Sequence, residues 1–133
     1  MNATPAVWQR LLLVCAAGAL GSGARFLVAL GAERLRQGAF PAGTLIVNVV
    51  GSFLICLVME LAAAGLVTPT QRLTLTTGFL GGFTTYSAFA YETLRCFDER
   101  QWKLGVANIA LTLVLGLGAG VLGLLCGRRL AGG

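Results

Sequence analysis

The sequence predicts an all-α membrane protein, a single bundle of four spanning helices, and three observations carry that prediction. The 133 residues are 56% hydrophobic and only 11% charged, where a soluble domain usually carries about 25% charge. Mean hydropathy is +0.82. Four apolar runs, Leu11–Leu30, Thr44–Val67, Leu73–Leu94 and Leu104–Cys126, each approach the roughly 20 residues a helix needs to cross the hydrocarbon core. A spanning barrel would instead show segments of about ten residues with alternating polarity. With their flanks, helices are expected over 7–31, 43–67, 71–96 and 102–127, in one domain of residues 1–133.

The first run begins as Arg10 followed by LLLVCAAGAL and the small residues GSGA, the outline of a secretory signal with its cleavage site. It resumes as FLVAL after Arg25 and reaches spanning length, so a retained helix is the stronger reading. The links ERLRQGAFPAG, TPTQR and CFDERQWK hold two of the three prolines and most of the charges, as helix ends require. Arg25, Asn48, Glu60, Glu92, Asn108 and Thr112 fall within or near the ends of spans. Polar groups there usually face a bundle interior or water, because a charge at the bilayer centre costs about 2.5–3.5 kcal/mol. Arg25 and Glu92 can also snorkel to an interface, and Glu60 is late enough in its run to do so. Asn48 has apolar neighbours on both sides and an amide with two donor hydrogens and one acceptor. It is either interhelical glue or a ligand-facing group.

The third run reads TLTTGFLGGFTTYSAFAYE. A pair of glycines, each about 1 kcal/mol worse than alanine in a helix, points to a break at Gly81–Gly82. Backbone freed at membrane depth survives only inside protein or along a wet cavity, where carbonyls suit a small cation and hydroxyls or amides suit an anion. Tyr86 and Phe89, three apart, share a helix face, and ring edges carry positive potential. In the fourth run, Gly116, Gly118 and Gly120 are expected to serve close helix packing.

Several classes are disfavoured. There is no histidine, and Cys15, Cys56, Cys96 and Cys126 are far apart, so a metal cluster or disulfide framework is not expected. The cysteines read as small buried hydrophobes. An intramembrane hydrolase would need a histidine, a Ser/Lys pair or paired aspartates; no enzyme is expected. With four spans, one side of the membrane holds Arg10, Arg72, Arg128 and Arg129, and the other holds Arg34, Arg36, Arg95, Arg100 and Lys103. Orientation follows the Lys/Arg bias of short loops, and this near balance leaves two readings: one residue with a strong local effect decides the orientation, or the chain inserts both ways and pairs as an antiparallel dimer.

The motifs GxxGSGARF (Gly18–Phe26), GTLIVNVVGSFL (Gly43–Leu54) and GFLGGFTTYSAFAYE (Gly78–Glu92) resemble the Fluc/CrcB fluoride channel family, in order, over three of the four runs. The resemblance implies an antiparallel homodimer with two fluoride pores in a bacterial inner membrane. It further implies a third helix broken mid-membrane and a structural sodium ion held at the dimer centre by the carbonyls of Gly81 and Thr84. Asn48, Tyr86, Phe89 and Asn108 would line the pore, with Thr44, Ser87 and Thr112 as a polar track, Glu92 near its end and Arg25 in a vestibule. Two positions depart from the family pattern: Tyr86 stands where phenylalanine is usual, and Ala88 where threonine is common. The alternatives are a small dual-topology multidrug exporter, which needs an embedded carboxylate where the first run has Arg25, and a purely structural subunit that conducts nothing.

Overall fold

A proline-free apolar segment satisfies its backbone in lipid by closing every hydrogen bond within one helix. In the computed structural model, which describes residues 6–35 and 38–132, the first run does so as α1 (Val7–Leu35). α2 (Ala42–Ala63) starts directly after Pro41, and α6 (Trp102–Leu130) closes the described chain. These three helices are long and apolar enough to cross a membrane. Arg36, one of the charges counted above, lies outside the described residues.

The third run forms a bent series of short helices rather than one rod. It opens with α3 (Pro69–Leu73), started by Pro69 and by a reciprocal cap in which Thr68 and Gln71 bond each other's backbone N–H. A π-helical stretch, Thr74–Leu80, follows, then a single turn, α4 (Gly81–Phe83). Thr84 and Thr85 are extended, and α5 (Tyr86–Asp98) begins at once, its start capped by the Thr85 hydroxyl, which accepts the Ala88 N–H at 3.2 Å. The architecture is therefore all-helical among the described residues, three long apolar helices and one bent one.

The break falls at Thr84–Thr85, not at the glycine pair where it was expected. Gly81 is ordinary helix, φ −61° and ψ −36°. The glycines have a steric task instead: a Cβ on Gly82 would fall on the Gly18 carbonyl of α1 and 3.0 Å from the Ser22 nitrogen. Gly21 answers in kind, since a Cβ there would strike the Phe79 carbonyl, and one on Gly78 would lie 2.8 Å from the Ala17 methyl. Backbones this close leave no room for lipid between them.

α2 and α6 pack along their length through a second small-residue seam. Gly120 meets the Cys56 sulfur, Gly123 the Phe53 carbonyl and Gly127 the Glu60 side chain. Gly116 has only an ordinary contact with Ser52, and Gly118 faces open space, so it does not share the packing role expected of it. Arg128 at the end of α6 pairs with Glu60 at 3.5 Å. Val47, Leu80 and Phe83 form a small core at the break. Cys96 is buried, but Cys15 and Cys126 are exposed on the helix surfaces, contrary to expectation.

Candidate functional site around the helix break

Interrupting a helix strands the carbonyls of the turn before the gap and the amides of the turn after it. Here α2 supplies the replacement. The Asn48 Oδ1 accepts the Thr85 N–H at 2.8 Å, and its Nδ2 donates to the Thr85 carbonyl at 3.0 Å. One side-chain amide thus pairs both backbone groups of one extended residue. The Asn48 carbonyl in turn accepts the Ser52 hydroxyl at 2.7 Å. One turn along α2, Gly51 leaves space that the Thr84 methyl fills. Asn48 thus joins α2 to the break and also lines a cavity.

That cavity, about 380 Å3, is bounded by Asn48, Gly81, Thr84, Tyr86, Phe89 and Thr112 among others. The Tyr86 and Phe89 rings lie 5.8 Å apart at 52°, and Tyr86 is 80% exposed. The Thr112 hydroxyl is buried, with no hydrogen-bond partner among the described residues. A second cavity, about 250 Å3, is bounded by Arg25, Thr44, Ala88 and Glu92 and shares Thr85 with the first. A third, about 350 Å3, lies between the 38–44 link and the later part of α5 and shares Thr44 and Glu92 with the second. Thr44 donates to Glu92 Oε1 at 2.7 Å across that junction. The three form a file leading from the break to the end of α5, with polar side chains at both junctions.

Two of the expected residues stand outside the file. Ser87 is exposed on α5, its Oγ 3.3 Å from that of Thr85. Asn108 is wholly buried, its Nδ2 donating to Thr93 Oγ1 at 2.9 Å, while Thr93 donates to the Phe89 carbonyl. It joins α6 to α5 and bounds none of the three cavities. Thr85 is the residue that sequence reasoning missed as a site group. The repeated Thr-Thr before the aromatic pair is its signal, since threonine readily caps a helix start.

A broken helix packed among three helices of spanning length, with cavities on both sides of the break, is the arrangement of membrane transport proteins of the broken-helix kind. The sequence comparisons agree on which one: the family described as CrcB-like protein, Camphor Resistance (CrcB), matches residues 12–124, and the chain belongs to it. It is 47% identical over 126 residues to the fluoride-specific ion channel FluC of Sorangium cellulosum, covering 94% of this chain and 99% of the relative. The FluC proteins of Geobacter sulfurreducens and Clostridium perfringens are 42% and 39% identical, over 90% and 92% of this chain and 98% and 96% of their own lengths.

Proposed function

We propose that this chain is a fluoride-selective channel, working as an antiparallel homodimer of four-span subunits in a bacterial inner membrane. The observation that carries the reading is the clamped break. Asn48 keeps one Nδ2 hydrogen beyond its bond to Thr85, and it shares a cavity with the unpartnered Thr112 hydroxyl and the Tyr86 and Phe89 rings. Donor hydrogens and ring edges around one space suit a small anion that must shed water and still leave. The exposure of Tyr86 supports a second copy covering that face. The near balance of charge between the two sides supports the antiparallel arrangement.

Fluoride enters a cell as neutral hydrogen fluoride and is trapped when it ionises. The channel returns the anion passively, aided by an inside-negative potential worth about 2.3 kcal/mol per charge per 100 mV. Asn48 and Thr112 offer their hydrogens at the break, with Thr44 continuing the track. Arg25 attracts the anion in the vestibule, and Glu92, occupied by Thr44, stands at the end.

The carbonyls of Gly81 and Thr84 fit a sodium ion. In an unbroken helix the first would accept the Thr85 N–H and the second the Ala88 N–H. Here those donors go to Asn48 Oδ1 and Thr85 Oγ1. Two carbonyl oxygens per subunit are hard ligands of the kind that suit such a cation, and a bound sodium would supply a fixed positive charge joining the two subunits.

The test is fluoride efflux from liposomes reconstituted with this chain alone. Rapid efflux that is indifferent to an imposed proton gradient is expected. No flux would leave a structural subunit, and flux driven by the proton gradient would favour the small multidrug exporter.

A further inference from the structure

In an unbroken helix the Gly81 carbonyl would accept the N–H of Thr85, four residues on. Asn48 holds that N–H at 2.8 Å, although it is 37 residues away in sequence and on another helix. Its Nδ2 donates separately to the Thr85 carbonyl at 3.0 Å. Val47, beside Asn48 in sequence, is buried against Leu80 and Phe83, and Gly51 admits the Thr84 methyl. α2 thus holds Thr84 and Thr85 by contacts on both sides.

We propose that Asn48 is a positioning residue for the cation site: by occupying the Thr85 N–H, its side chain keeps the Gly81 carbonyl open as a ligand. This rests on the reading that sodium binds the Gly81 and Thr84 carbonyls. It couples two functions otherwise assigned to separate residues, anion contact and cation binding, through a single amide. The acceptor oxygen and the donor nitrogen separate the two functions. Cation binding depends on Oδ1, which intercepts the N–H, and anion contact depends on Nδ2, which carries the hydrogens.

Two substitutions divide those atoms. Asn48→Asp keeps an oxygen for the Thr85 N–H and removes the donor. Asn48→Ala removes both and returns the N–H to the Gly81 carbonyl. The measurement is the melting temperature of the full chain in detergent across sodium and potassium titrations, since a ion bound only by the folded assembly raises stability with concentration. Wild type is expected to respond to sodium and less to potassium. Asn48→Asp should keep a sodium midpoint within about threefold of wild type, while Asn48→Ala raises it about tenfold or more, the effect of one carbonyl ligand lost to an N–H. A folded Asn48→Ala protein with the wild-type midpoint overturns the proposal. So does a folded Asn48→Asp protein that no longer responds, and this arm decides the matter if the alanine variant does not fold. Equal responses to sodium and potassium in wild type would overturn the cation site itself, and this proposal with it.

Discussion

Gly81 and Gly82 are adjacent, and replacing each with alanine is expected to move stability in opposite directions. Both are helical, so alanine gains up to about 1 kcal/mol of helix propensity at either position. At Gly81 the added methyl would meet nothing nearer than the Thr76 carbonyl at 3.7 Å, an ordinary contact. At Gly82 it would land on the Gly18 carbonyl, which is helix backbone and cannot rotate away. Overfilling a tight contact costs about 1–3 kcal/mol, so Gly82→Ala is expected to lose about 1–2 kcal/mol net. Gly81→Ala should be neutral or slightly stabilised. The assay is unfolding of the purified protein in mixed micelles, followed by the fluorescence of its two tryptophans, in sodium-free buffer so that a cation site does not contribute. Equal shifts in the two variants, or a Gly82→Ala protein as stable as wild type, would refute the assignment of this glycine to the crossing with α1.

Four further outcomes are expected. Reporters fused to the C-terminus should appear on both sides of the membrane, and lysines added to one side should lock one orientation and lower flux; a wild-type chain with a single orientation would end the antiparallel dimer. Asn48→Asp should abolish fluoride efflux, because a carboxylate repels the anion; normal efflux with confirmed insertion would leave Asn48 as packing alone. Thr84→Ser should be mild in flux and sodium response, since it keeps the carbonyl and the hydroxyl that bonds Leu80; loss of the sodium response would show that the methyl seated against Gly51 sets the site. Asn108→Leu should change stability by about 1 kcal/mol at most, because its Oδ1 has no partner among the described residues and Thr93 keeps its bond to Phe89. Efflux in that variant should persist, and its loss would return Asn108 to the pore.

The long helices were legible because lipid leaves an apolar segment few alternatives to closing its own hydrogen bonds. Val7 to Leu35 needs no contact with the rest of the chain to be helical. The break was legible as an event but not at its position. Gly81–Gly82 advertises weak helix propensity, whereas the true gap at Thr84–Thr85 depends on Asn48, a partner from another helix. Glycine reads alike whether it bends a chain or admits a neighbour; only the nearness of Gly18 decides. The same ambiguity affected Asn108. With apolar residues on every side of the helix, periodicity gives no face, and its turn toward Thr93 rather than the cavity had no local signal.

The π-helical stretch changes which residues count as neighbours. Around an α-helix, Thr76 and Gly81 would point about 140° apart, five steps of about 100°. The wider winding bonds each residue to the one five places on, and the Gly81 N–H indeed reaches back to the Thr76 carbonyl. Thr76 and Gly81 therefore come to border the same cavity. A helical wheel drawn for this segment assigns Thr76 to the wrong side, and substitutions chosen from it would probe the wrong face. Thr76, which the usual three- and four-residue spacing overlooks, is a closer neighbour of the Gly81 backbone than that arithmetic allows.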